Sequence, residues 1–143
     1  MNKANTKNLG NTIIKVNHAG EHGAVCIYSG QIFLARLTAP GLVDELKSFR
    51  DDERKHRQIL TDELKSRSEP RCKSYWLCAL GGFILGFITA LFGVKAIAAT
   101  TVAVESVVLR HLAEQVQLLS GNDARAVFAI QQIIDDEQAH HDH

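Results

Sequence analysis

Two stretches of the chain place a carboxylate and an imidazole where a core-facing helix would ordinarily carry leucine. Glu53-Arg54-Lys55-His56 and Glu137-Gln138-Ala139-His140 are both Glu-x-x-His, and each follows an acidic doublet, Asp51-Asp52 or Asp135-Asp136. A three-residue spacing puts the two side chains on one face of a helix. That face is otherwise apolar. In the first copy Leu42, Leu46 and Phe49 precede Glu53 and His56, and Leu60 and Leu64 follow; in the second Val127, Ile130 and Ile134 lead into Glu137 and His140. A single Glu-x-x-His on a charged helix is usually solvated surface. On a buried stripe it is something else, because an uncompensated carboxylate in a core is very costly. A fold that buries both copies has to supply counter-charge.

Two lone glutamates complete the pattern. Glu21 interrupts the stripe Ile14, His18, Val25, Tyr28, Ile32, Ala35, and Glu105 interrupts Ala98, Val102, Leu109, Leu112, Val116, Leu119, both at helical spacing. Glu21 precedes Glu53 by 32 residues and Glu105 precedes Glu137 by 32, so the two halves superimpose at an offset of 84. Breakers and caps predict helices from Asn11-Thr12 to Ala39-Pro40-Gly41, from about Leu42 to Lys65, from beyond Lys95 to Ser120-Gly121-Asn122, and from about Asp123 onward. A polar connector over 66–74, containing Pro70, joins the halves. The expectation is an all-α four-helix bundle, a single domain over residues 1–143. Each helix pair gives its core one Glu and one Glu-x-x-His, the ligand arrangement of di-iron and di-manganese bundles. Four carboxylates carry four negative charges, which two divalent ions cancel in a low-dielectric core. Carboxylates can bridge the ions while each imidazole caps one; this donor set suits iron and leaves positions open for dioxygen, whereas zinc prefers fewer ligands.

The remaining sequence narrows the setting. Lys+Arg and Asp+Glu both number 16, so no net field draws nucleic acid, and that class is set aside. Cys26, Cys72 and Cys78 are odd in number with no Cys-x-x-Cys, which fits small apolar fillers in a reducing compartment. Residues 1–11 show neither a secretory nor a transit pattern, so a bacterial cytoplasm is the simplest location. From Tyr75 to Val94 run twenty residues without a charge, flanked by Lys65, Arg67, Arg71, Lys73 and the aromatic pair Tyr75-Trp76. That is long enough to cross a bilayer and dressed as an interface. A crossing would put Glu53 and Glu105 on opposite sides, so if they share a site the segment lies in or on the membrane surface. Gly81, Gly82, Gly86 and Gly93 weaken it as a regular helix, while Gly20 and Gly23 allow close approach to the first helix. His18, His22, His111 and His141 lie near the expected ligands but read first as structural or surface histidines, and Tyr28 as packing. Arg50, Asp51, Arg54, Lys55 and Arg57 read as a solvated face.

The longer strings Asn17-His18-Ala19-Gly20-Glu21-His22-Gly23-Ala24, Ile27-Tyr28-Ser29-Gly30-Gln31, Thr101-Val102-Ala103-Val104-Glu105 and Asp136-Glu137-Gln138-Ala139-His140-His141-Asp142 are more specific than Glu-x-x-His. In them the chain resembles the demethoxyubiquinone hydroxylases of ubiquinone biosynthesis, the Coq7 or Cat5 family. The resemblance implies a ferritin-like bundle with an extra apolar helix at the membrane interface. It implies six ligands, Glu21, Glu53, His56, Glu105, Glu137 and His140, holding two iron ions per chain. The implied activity is a monooxygenase that uses dioxygen, with NADH as reductant, to hydroxylate a demethoxyubiquinol carrying a polyprenyl tail. The implied location is peripheral, on the cytoplasmic side of a bacterial cell membrane, with an accessory lipid-binding partner and a homo-oligomeric state left open. Two departures from the family pattern are expected to matter: no further C-terminal helix follows His140, and Ser106 stands where a second glutamate often follows the Glu105 position. The same ligand set also fits a ferroxidase or rubrerythrin-like peroxidase, or an inactive quinone-binding relative.

Overall fold

A computed structural model describes the backbone of residues 3–141 and the side chains of residues 5 and 7–139. The described residues form five α-helices: α1 Lys3–Thr38, α2 Val43–Ser66, α3 Tyr75–Leu91, α4 Val94–Leu119 and α5 Ala124–His141, with a 3-10 turn at Pro40–Leu42. The architecture is an all-α ferritin-like bundle of α1, α2, α4 and α5, with α3 laid along α1. α1 packs mainly on α3 and α2, α4 mainly on α5, and α2 meets α5.

Helical spacing places the core. Every member of the first stripe, Ile14, His18, Glu21, Val25, Tyr28, Ile32 and Ala35, is buried. α1 nonetheless begins at Lys3, well before the expected cap at Asn11. Nothing before Asn11 forbids helix, and the buried Asn11 side chain bonds tertiary partners, Glu69 and Arg67, rather than its own backbone. On α4 the expected stripe is rotated. Ile97, Glu105, Leu112 and Leu119 are buried, whereas Ala98 and Val102 are exposed. Steps of seven and eight residues keep those four on one side of a helix, which a three-to-four pattern drawn through Val102 misses.

The core has two apolar ends. Ile13, Ile14, Leu60, Leu64, Leu112, Leu119, Ala126, Ile130 and Ile133 form one cluster. Tyr28, Ile32, Ala35, Ala39, Leu46, Ala90 and Ile97 form the other. In sequence, all four glutamates fall between the contributions their own helices make to the two ends or at the margin of one of them.

The twenty-residue apolar run is two pieces. α3 stops at Leu91 because Gly93 adopts φ 88°, and α4 starts at Val94. The left-handed value suits glycine alone. α3 then returns along α1 through small residues. A Cβ on Gly82 would strike the Gly23 carbonyl, one on Gly86 the Ile27 carbonyl, and one on Gly30 the Phe83 carbonyl. With this face occupied by backbone, the large side chains of α3 point away from the bundle, and Leu77, Leu80, Ile84, Ile88, Leu91 and Phe92 are exposed. Phe33 and Leu37 of α1 are exposed as well. Among the described helices α4 alone is long and apolar enough to cross a membrane by length and composition.

Arg67 ties three helices. Its guanidinium grips Asp123 at 2.8 and 2.9 Å, Glu63 at 2.9 Å and the Asn11 amide oxygen at 3.0 Å. Asp123 also accepts from the Ala126 backbone N–H, capping α5. Hydrogen bonding from Arg67, against an opposing effect of burial, holds the Asp123 carboxyl below its usual range.

Two outcomes are expected. Gly86→Ala, which forces backbone apart, lowers stability by about 2 kcal/mol in urea unfolding. Arg67→Ala removes one partner of a largely buried pair and lowers stability by about 3 kcal/mol at pH 7. A depressed carboxylate stabilises fully above its unfolded value and ceases to as pH falls through the folded one. The Arg67→Ala deficit therefore shrinks below about pH 4, which a pH series of urea midpoints measures.

Candidate metal centre

Four of the six expected residues converge from three helices. Glu21 of α1, Glu53 and His56 of α2 and Glu137 of α5 each offer a donor atom within 4.8 Å of the others, and all are buried. His56 Nδ1 lies 3.2 Å from Glu137 Oε1, 3.5 Å from Glu53 Oε2 and 3.8 Å from Glu21 Oε2. Glu105 stands beside this group. It lines the same cavity, of about 210 Å³, as Glu21, Glu53 and Glu137. Its Oε1 accepts a hydrogen bond from the Tyr28 hydroxyl at 3.0 Å. His140 sits on α5 three residues beyond Glu137, and its side chain lies outside the described residues.

The electrostatics are those of a crowded anionic site. Burial, reinforced by the like charge of Glu21 and a hydrogen bond shared with it, raises the Glu53 carboxyl well above the usual range. Burial works against a charged His56, but hydrogen bonds to Glu21 and Glu53 and their charges outweigh it and drive the imidazole up to about 11. Glu21 Oε2 is buried without a hydrogen-bond partner. A divalent cation can neutralise the same carboxylates: buried carboxylate oxygens and an imidazole nitrogen within reach of one another are a donor set for such ions.

Sequence comparison agrees with the resemblance those strings carry. A family model described as ubiquinone biosynthesis protein COQ7 matches residues 8–143. The chain belongs to the COQ7 family. It is 34% identical over 134 residues to a rat protein named NADPH-dependent 3-demethoxyubiquinone 3-hydroxylase, mitochondrial, covering 91% of this chain and 61% of that one. A Dictyostelium discoideum protein of the same name is 35% identical over 133 residues, covering 90% and 59%. A Legionella pneumophila protein named 3-demethoxyubiquinol 3-hydroxylase is 29% identical over 133 residues, covering 92% and 60%. The chain thus spans about three fifths of the length of these relatives.

Within this COQ7-family site, two roles go beyond the sequence reading. His56 Nε2 lies 2.9 Å from Asp136 Oδ2. A carboxylate accepts only, so Nε2 donates and Nδ1 is the nitrogen turned to the cluster. The acidic doublet before Glu137 was the available signal, but nothing in the spacing says that its second member reaches across to α2. Tyr28, expected as packing, also holds Glu105; burial first, then Glu105, raises its phenol.

His18 and His22 are structural, and the His141 side chain lies outside the described residues. His22 stacks on Tyr75 at 3.9 Å, Arg57 Nη1 lies 2.8 Å from His22 Nδ1, and His18 Nε2 lies 2.9 Å from Thr61 Oγ1. Arg57 is therefore not part of a solvated face as expected. It is half-buried because α3 delivers Tyr75 onto His22 and leaves Arg57 the adjoining imidazole nitrogen. His111 is exposed and lines the cavity.

Asp136→Ala is expected to weaken divalent metal binding about tenfold or more, since it frees the His56 ring. Asp135→Ala, which loses only an exposed contact with Gln131, leaves binding within twofold. Competition with a chromophoric chelator, using Co²⁺ as the probe, measures both.

Proposed function

We propose that this chain, as one ferritin-like domain, is a demethoxyubiquinol hydroxylase whose dimetal centre is held by Glu21, Glu53, His56, Glu105, Glu137 and His140. The observation that carries the reading is that four buried carboxylates line one mostly apolar cavity and three of them, Glu21, Glu53 and Glu137, cluster with the buried His56. Family membership and the printed names of the relatives support it. Two iron ions supply oxygen activation when bound. The net reaction inserts one oxygen atom of dioxygen into a ring C–H and releases the other as water, consuming two electrons and two protons. A reduced nicotinamide is the electron source; NADPH appears in the relatives' names.

The protein's own groups do the positioning. Asp136 orients His56, Tyr28 orients Glu105, and Asn17 and Gln115 tie α1 to α4 along the cavity by exchanging amide hydrogen bonds of 2.7 and 3.0 Å. Ala24, Ile27, Val104, Val108 and Leu112 give the cavity apolar walls that suit a ring and exclude water. Membrane placement follows from α3. Its exposed apolar face, with Trp76 at one end and Arg71 4.8 Å from the Tyr75 ring centre, suits peripheral attachment to a bilayer carrying a polyprenylated quinone. We assign the cytoplasmic side of a bacterial cell membrane, and treat an accessory lipid-binding protein or a second copy as additional partners for that face.

Anaerobic reconstitution with Fe²⁺ is expected to give two irons per chain with the Mössbauer signature of a coupled pair. Exposure to dioxygen, reduced nicotinamide and a demethoxyquinol is expected to yield the hydroxylated ring. Glu137→Ala is expected to lose at least one iron and product formation tenfold or more. Retention of two irons at unchanged affinity refutes the ligand assignment, and a fully loaded protein that makes no product refutes the activity.

A further inference from the structure

A second cavity meets the carboxylate site from the other side. It is an open cleft of about 200 Å³ between the start of α2 and the start of α4, with Leu46, Phe49, Ile97, Ala98 and Val102 among its apolar walls and Glu45 at its exposed rim. It shares two residues with the first cavity, Thr101 and Glu105. The partition is Glu105 itself, 3% exposed, held by the Tyr28 hydroxyl at 3.0 Å from a ring that is 4% exposed. Both chambers thus end on one candidate ligand.

A reaction of this kind brings two reactants of very different size to one centre. The ring, seated in the first cavity among Ala24, Ile27 and Val104, stands in the way of a second molecule arriving by the same path. The second cavity offers an independent approach. Its inner walls, the buried Leu46 and Ile97 with Phe49, suit a small apolar molecule, since cavities lined by aliphatic and aromatic side chains bind apolar ligands and gases. The partition favours the smallest occupant. A prenyl chain could pass only by breaking the Tyr28–Glu105 hydrogen bond and displacing both buried side chains, whereas a diatomic needs a transient gap. The cavity also lies where α4 begins, next to the exposed Leu91, Phe92 and Val94, so a gas dissolved in an apolar phase would enter there.

We propose that the cavity walled by Leu46, Phe49, Ile97, Ala98 and Val102 is the route by which dioxygen reaches the centre, with Glu105 and Tyr28 as its inner gate. This rests on the hydroxylase reading for the role of the gas but not for the existence of the gas site.

Xenon is the probe for the site. In ¹²⁹Xe NMR of the metal-free protein, saturable exchange is expected for the wild type and for Ala99→Phe, which adds a ring on the exposed face of α4 outside the cavity. It is expected to be lost in Ala98→Phe, or in Ala98→Phe/Val102→Phe where one ring leaves space. In the iron-loaded enzyme the filled variant is expected to raise KM for dioxygen fivefold or more, with iron content unchanged and KM for the prenylated quinol moved less than twofold. Absence of saturable xenon binding in the wild type overturns the proposal. So does an effect of the filled variant on the quinol's KM in place of dioxygen's, which would make the cavity a tail channel. Because xenon occupancy needs neither iron nor quinol, that arm stands or falls independently of whether the chain hydroxylates anything.

Discussion

Four carboxylates that cannot be left charged in an apolar interior set the terms for the rest of this structure. Glu21, Glu53, Glu105 and Glu137 are each at most 5% exposed. Such a group is tolerated only if protons, a cationic imidazole or metal ions neutralise it. His56 carries part of that burden, its imidazole driven up by the neighbouring carboxylates while burial and Glu21 push Glu53 up. The two apolar clusters provide the folding free energy the acidic layer does not. Leu60, Leu112, Ile130 and their neighbours clamp one end, and Tyr28, Ile32, Leu46 and Ile97 the other. The site is thus a polar layer between two apolar ends, whose carboxylates metal ions would neutralise.

The same economy governs α3. Glycines at 23, 30, 82 and 86 let two backbones touch, so α1 and α3 join with little side chain between them. Small residues at a helix interface permit that approach. The consequence is geometric. Apolar side chains that would normally fill an interhelical gap are turned outward, giving a helix that is held firmly by the bundle yet presents Leu77, Leu80, Ile84 and Ile88 to its surroundings. A helix built this way is a surface element first. The sharp turn at Gly93 lets α4 start at once and bring Glu105 back to the cavity that Glu53 lines, so α3 does not separate the two glutamates.

Much of this was legible in the residues. The first stripe was readable without error because α1 is covered on several sides, and a helix buried over a wide arc tolerates an imprecise drawing. The four buried glutamates were readable because charge inside an apolar period is rare and was repeated at equal spacing. α4 was drawn wrongly because alanine and valine carry little information about direction: Ala98 and Val102 fit an inward stripe by type yet face outward or line a cavity. The run from Tyr75 to Val94 looked continuous because hydropathy does not register that Gly93 must turn. What no spacing could reveal were long-range polar contacts, His56 with Asp136, Tyr28 with Glu105, and Arg57 with His22, each joining residues on different helices.

Those contacts also show that the duplicated halves are not independent. Asp136 belongs to the second half of the chain and orients His56 of the first; its counterpart at the offset of 84 is Asp52, directly before Glu53. The residue immediately before each Glu-x-x-His is an aspartate, and the acidic doublets that first looked incidental become part of the repeat. A site cross-braced in this way has one consequence that a simple sum of two half-sites lacks. Loosening the last turns of α5 removes more than Glu137 from the cluster, because it also releases the ring of His56 on α2, which is fully buried and has Asp136 as the acceptor for Nε2.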